Sequence, residues 1–177
     1  MTWILSQGRR HVDFLDPQPD QIHILDIAAG LANESRFAGQ TRSFYSVAQH
    51  SVTGSYCISK EHRLEFLLHD ATEAYMKDLP RPLKELLPDY KVIEKRLDAV
   101  IRYKYGLPEV CTEAVKEMDV IMLATERRDL MPRDSVDWQC IRGVLPLDRR
   151  IDPANPYRAA SLFIRRWVEL TEGALCR

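Results

Sequence analysis

Apolar residues return every three or four positions through most of the chain, the spacing that lines them along one side of an α-helix. Ile24, Ile27, Ala28, Leu31 and Ala32 recur in this way and predict a helix from about Ile24 to Ser35. A second helix, "VAQHSVTGSYCI", starts at Ser46 or its neighbours. The stretch "LEFLLHDATEAYMKDLP" predicts a third, over about 61–76, which Pro80 and Pro82 bring to an end. From Tyr90 to Tyr105, Ile93, Leu97, Val100 and Ile101 form a stripe, and Gly106 is a natural stop. "CTEAVKEMDVIMLATERRDLM" predicts a long helix with Thr112 at its N-cap. After a proline-rich loop over 132–156, Tyr157–Leu170 sets Ala160, Phe163, Ile164, Trp167 and Leu170 on one face of a last helix. The alternation expected of strands is weak throughout. Only the opening "DFLDPQPDQIHILD" reads as extended loop with room for a short strand or two. The expectation is an all-α helical bundle, one domain over 1–177, with long loops near both ends.

Composition supports a packed domain and narrows the partners. At 177 residues, 45% hydrophobic and 29% charged, the chain is long and apolar enough to bury a core without staples. A formal net charge of −1 gives no global attraction to nucleic acid or to an acidic membrane. Cys57, Cys111, Cys140 and Cys176 are scattered without a CxxC pair, which points to reduced thiols rather than a disulfide framework or a thiolate zinc site. "MTWILSQGRR" has too short an apolar run for a signal peptide, and "VIMLA" is far too short to cross a bilayer. The expected location is the cytoplasm.

One feature conflicts with the core pattern. On a 3.6-residue wheel Leu64, Leu68, Ala71 and Tyr75 fall on one side of the third helix. His69, Asp70 and Glu73 occupy an arc of roughly 100° on the other. Taken alone this arc could simply face water, and an HD dipeptide is weak, because composition nearly supplies one by chance. Its company changes the reading. His50 stands among Val47, Ala48 and Val52, and Asp119 stands between Val115 and Met122 on an apolar stripe. A carboxylate buried there needs a cation, a metal or several hydrogen bonds. Two imidazoles and two carboxylates converging from three helices make a nitrogen and oxygen site for a divalent transition metal.

At these residues the chain resembles the HD-domain metal-dependent phosphohydrolases, a mainly helical superfamily with the pattern H…HD…D. The segments that carry the resemblance are "ESRFAGQTRSFYSVAQHS", "LLHDATEAYMKDLPRPLK" and "EMDVIMLATERRDL". It is similar to the small bacterial 5′-deoxynucleotidases and, in "MTWI…GRR…DFLDPQP…ILDIA", to phage-type dATP triphosphohydrolases and their bacterial relatives. The resemblance implies an HD-domain bundle in which His50, His69, Asp70 and Asp119 hold one divalent transition metal, with zinc, cobalt or manganese the first candidates. Such a metal leaves positions for water and lowers its pKa toward neutrality.

Further roles follow from the same resemblance. Glu73, one turn beyond His69, would orient or deprotonate the attacking water or protonate the leaving oxygen. Glu73 or Asp78 would also take a second ion, Mg²⁺, arriving with a triphosphate. The pair Arg36-Phe37 corresponds to an arginine and aromatic that hold phosphate and pack on the sugar. Arg42, Arg81 and Lys84 extend a candidate phosphate cradle. Asp78 would contact sugar hydroxyls or merely end the helix. Ile22, Ile24, Phe37 and Leu79 would line a base slot or belong to the core. Gln40 departs from relatives that carry histidine there. Guanosine tetraphosphate hydrolases are excluded, because they extend the motif as HDxxED and here Ala74 follows Glu73.

The resulting expectation is hydrolysis of a deoxynucleoside triphosphate, dATP first, at the α-phosphorus to deoxynucleoside and tripolyphosphate. The alternatives are a 5′-deoxynucleotidase acting on monophosphates and a nucleotide-sensing module without turnover. The expected partners are a deoxynucleotide and further copies of the chain, from dimer to hexamer, with no nucleic acid and no membrane. The compartment would be the host cytoplasm if the chain is phage-encoded.

Overall fold

Two short strands open the structure, a computed structural model that describes residues 1–172. β1 (Trp3–Leu5) and β2 (His11–Asp13) pair antiparallel, with Ile4 opposite Val12. The expectation of a mainly helical domain holds, with this two-stranded ribbon the one sheet among the described residues. Asp26 ties the ribbon down: it accepts hydrogen bonds from the Gly8 amide, the Ser6 hydroxyl and Arg10. Val12 and the following Ile22 then seal the core from this side, both fully buried.

Three helices make the centre: α1 (Ile24–Asn33), α2 (Val47–Cys57) and α8 (Pro156–Thr171). α1 is almost wholly apolar, so a single covered face would not suffice. It packs against α2 and α8, and Ile27, Ala28, Leu31 and Ala32 disappear between them. α8 contributes Ala159 and Phe163, with Ala160, Ile164, Trp167 and Leu170 at the edge of the same core. The expected long C-terminal loop thus lies before α8, and the end of the described chain is helical. Cys176 lies outside the described residues.

α3 (Arg63–Leu68) packs on α2, and α4 (Glu73–Met76) on α1. These two replace the single helix expected over 61–76. After α5 (Arg81–Lys84), α6 (Pro88–Tyr105) adds Leu97 and Ile101 to the core and stops at Gly106, whose φ of 64° is the left-handed conformation glycine adopts freely. α7 (Glu113–Leu130) lies over a smaller apolar cluster of Ile58, Phe66, Val115 and Met122. Thr112 precedes it as expected, but its hydroxyl does not cap the helix. It bonds Glu65 Oε2 at 2.7 Å, part of a buried network in which Arg102 reaches Glu65 Oε1 at 3.3 Å. The segment after α7 is loop with one 3₁₀ turn at Gln139–Ile141. Gln49 pins it to α2, donating to the Asp152 carbonyl at 2.7 Å and accepting the Ala154 amide at 2.8 Å. No described helix is long and apolar enough to cross a membrane.

Gly54 of α2 lets α3 approach closely: a β-carbon there would overlap the Phe66 ring. That ring packs at a tilt against His69 at 4.4 Å and against His50 at 5.7 Å between centroids. Gly54→Ala is therefore expected to cost about 1–3 kcal/mol through overpacking, read by chemical denaturation, and to disturb both imidazoles. An unchanged midpoint would show that the helices can part without penalty.

Candidate metal centre

Local structure brings the polar residues together. The segments 34–36 and 45–47 run antiparallel and pair through a bridge between Ser35 and Ser46. The Arg36 amide bonds the Tyr45 carbonyl at 2.9 Å, and the Val47 amide bonds that of Glu34 at 3.0 Å. This sets Arg36 beside the start of α2. Ser46 caps α2 by accepting the Gln49 amide at 3.2 Å, and His50 follows in the first turns, fully buried.

His69 sits where the predicted long helix breaks. Its Nδ1 lies 2.7 Å from the Phe66 carbonyl oxygen, the acceptor that an unbroken α-helix would give to the Asp70 amide. Beyond it the backbone tightens to bonds three residues apart, Ala71 to Leu68, Glu73 to Asp70 and Tyr75 to Thr72. The side chain thus competes with the helix for a carbonyl, and the tightened turn carries His69, Asp70 and Glu73.

His50, His69 and Asp119 each offer a ligand atom within 4.8 Å of the others. His50 Nε2 is 3.3 Å from Asp119 Oδ1 and 3.5 Å from His69 Nε2. Asp70 stands against both imidazoles, its Oδ2 3.2 Å from His69 Nε2 and 3.7 Å from His50 Nε2. The outer nitrogens fix the inner ones. A backbone carbonyl can only accept, so His69 Nδ1 carries a proton. His50 Nδ1 is 2.6 Å from Glu126 Oε1, a carboxylate that orients it the same way. Both Nε2 lone pairs consequently point at one another across 3.5 Å, an arrangement that repels unless a cation lies between them. The donor set fits a divalent metal ion.

The electrostatics of the cluster carry the same demand for positive charge. Burial and Arg36 pull the His50 pKa down, but the Glu126 charge and hydrogen bonds to Asp119 and Glu126 push it up to about 9. His69 is also raised, Asp70 and Asp119 outweighing its burial. Burial pushes Asp119 up, yet the two imidazoles hold it well below the usual carboxylate range. A proton on these rings occupies the place a metal would take.

The sign of the linkage gives a test. His50 has a folded pKa of about 9 against an ordinary 6.5, so its contribution to stability is complete below about pH 6.5 and disappears as pH rises through 9. Chelator-treated protein is expected to lose melting temperature across that window, whereas metal-loaded protein, whose ion replaces the proton, is not. Equal slopes for both forms would show that the ion does not displace this proton.

Glu126 was not singled out in the sequence, although it lies seven residues after Asp119 and so on the same face of α7 two turns on. It is fully buried and bonds both His50 and Arg36, with Oε2 3.0 Å from Arg36 Nη2. Burial raises its pKa, but Arg36 and His50 bring it below the ordinary value. Glu126→Gln is expected to weaken metal binding roughly 10–100-fold, measured by competition with a chromophoric chelator.

The other candidates divide. Arg36 is brought in, its Nη1 3.4 Å from Asp70 Oδ2. Phe37 follows it with a φ of 56°, and Ala38 with 51°, a strained left-handed pair beside the cluster. The Phe37 ring faces Trp138 at 6.3 Å. Glu73 is buried; its Oε2 has no hydrogen-bond partner among the described residues, and its Oε1 lies 4.0 Å from Lys84 Nζ. Burial, with Asp70 and Asp78 beside it, raises its pKa well above the ordinary value. Asp78 is raised by burial as well, and its amide is held by Glu34 Oε1 at 3.2 Å.

Several residues do not reach the cluster. The Arg42 guanidinium bonds the Met131 carbonyl at 2.9 Å, at the end of α7. Lys84 is paired with Glu94 at 2.7 Å and reaches Glu73 at 4.0 Å but none of the metal-cluster residues, and Arg81 is exposed without an ion pair among the described residues. Ile22 is fully buried in the main core rather than lining a slot, and Leu79 is half-buried after α4. A charge in sequence does not say which acceptor will claim it.

Fold and site together define a mainly helical protein with a partly buried histidine and carboxylate cluster that could hold a metal ion. The chain belongs to the same family as YfdR of Escherichia coli K12, an uncharacterized protein with which it is 46% identical over 177 residues, 99% of each chain. An uncharacterized protein of Rhodobacter capsulatus is 37% identical over 178 residues, covering 89% of this chain and 91% of the relative. No model of a known protein family matches the chain.

Proposed function

We propose that the protein is a metal-dependent phosphohydrolase of the HD type acting on deoxynucleotides, with Asp70 joining His50, His69 and Asp119 as the fourth ligand. The observation that carries the reading is the pair of imidazoles whose outer nitrogens are engaged by Phe66 and Glu126, so that both Nε2 atoms face Asp119 beside an arginine. When bound, a divalent ion supplies positive charge that polarises a phosphoryl oxygen and eases loss of a proton from water. Zinc, cobalt and manganese all suit two imidazoles and two carboxylates.

The chain's own groups do the rest. Arg36 keeps one nitrogen on Glu126 and makes only a long 3.4 Å contact to Asp70, so Nη1 can exchange that contact for a phosphoryl oxygen. Water adds to the α-phosphorus and the bond to the 5′ oxygen breaks. Glu73 manages the proton, taking it from the attacking water and delivering it to the departing oxygen. Its burial and acidic neighbours raise its pKa towards the range where both transfers are effective. Asp78 or Glu73 can also receive a Mg²⁺ carried by a triphosphate.

The leading substrate is a deoxynucleoside triphosphate, dATP first, yielding tripolyphosphate. One observation favours the monophosphate instead: of Arg36, Arg42, Arg81 and Lys84, only Arg36 touches the cluster, so the cradle for a long phosphate tail is thin. A panel of deoxy- and ribonucleotides, mono- to triphosphates, with the inorganic product identified, decides. Tripolyphosphate supports the first substrate and orthophosphate from monophosphates the second. Binding without product would leave a sensor and remove the enzyme.

A further inference from the structure

A concavity of about 290 Å³ opens between α2, α8 and the segment 147–152, and none of the metal-cluster residues lines it. Its volume is at the lower end of those that hold small ligands. Three arginines line it. Arg150 is held by half-buried Asp129 at 2.5 Å, and Arg158 lies 3.6 Å from exposed Asp152. Arg149 has no carboxylate partner among the described residues. Cationic side chains therefore outnumber the one carboxylate on the lining, Asp152. The rest of the wall is largely apolar, with Val52 and Leu162, and has a rigid aromatic in Tyr56. Arg166 covers one face of the Tyr56 ring at 3.8 Å, and Glu169 accepts its hydroxyl at 2.7 Å.

We propose that this concavity is a separate binding site for a small phosphate-bearing ligand of mononucleotide size or less. Arg149 and Arg158 take the phosphate, since guanidinium forks match its oxygens, and Arg150 adds charge from the side. Val52, Tyr56 and Leu162 receive the flat apolar part of the ligand. The site is wired to the metal cluster by adjacent residues. Gln49, which lines it, precedes His50 and holds the 152–154 backbone. Thr125, which also lines it, precedes Glu126 and accepts the Leu147 amide at 2.9 Å. A ligand that shifts segment 147–154 thus bears on both the imidazole and the carboxylate that orients it. That coupling to turnover rests on the hydrolase reading; the binding does not.

The test is calorimetric titration of adenosine monophosphate, and separately of inorganic phosphate, into the Arg36→Gln protein, where the phosphate contact at the metal side is removed. Chelator-treated wild-type protein serves if that variant does not fold. About one adenosine monophosphate per chain is expected, bound more tightly than phosphate alone, with the dissociation constant rising at least about tenfold in R149Q/R158Q. Equal affinity for the two probes would leave the phosphate site standing and remove the apolar half of the proposal. No binding of either probe, or binding unchanged in R149Q/R158Q, overturns it. Because both arginines are exposed and outside the metal cluster, R149Q/R158Q is expected to retain the unliganded hydrolysis rate. Its failure to bind would therefore be distinct from failure of the hydrolase itself.

Discussion

His69→Ala is expected to abolish metal retention and hydrolysis together. The imidazole supplies one Nε2 to the cluster and, through Nδ1, occupies the Phe66 carbonyl that shapes the tight turn carrying Asp70 and Glu73. Its loss removes a ligand directly. The fall in metal affinity should therefore exceed the roughly 10–100-fold typical of losing an outer partner such as Glu126. Metal content after dialysis and hydrolysis of the preferred nucleotide should collapse in parallel, while circular dichroism confirms a helical chain. A variant that turned over normally without metal would remove the cluster from the mechanism.

Glu73→Gln should separate chemistry from metal binding. The carboxyl is buried, one oxygen has no partner among the described residues, and it is not one of the three residues whose ligand atoms converge. The amide has nearly the same shape but can neither take a proton from water nor deliver one. Metal content is expected to stay at the parental level while the rate falls about 10²–10⁴-fold, the range for a positioned acid or base. The pH profile should also lose the limb that Glu73 imposes. Parental turnover would place the proton transfer on another group, and loss of metal would make Glu73 a ligand instead.

The periodic apolar stripes made α1, α6, α7 and α8 legible within a few residues, because spacing at three and four positions marks a helix whichever partner covers it. The break between α3 and α4 was not legible. Hydropathy runs smoothly through it, whereas the interruption comes from the His69 side chain claiming a backbone carbonyl. His50 and Asp119 were readable because polar groups among apolar neighbours need a reason, and His69 because the H…HD…D resemblance joins it to them. Glu126 fits the same description, fully buried on α7, but "ATERRDL" reads as an exposed, charged helix end until Arg36 and His50 are seen on it.

What the sequence determined by itself was the longer helices and some of the side chains that could not be ordinary core, since both follow from local spacing and the cost of burying charge. Tertiary structure alone decided which of the candidate cations reach the site. Arg36 is drawn to Glu126 and Asp70, while Arg42 goes to Met131 and Lys84 to Glu94. Ion pairs form between residues that packing brings within a few ångströms, and chain separation, 90 residues for Arg36 and Glu126, carries no trace of that distance.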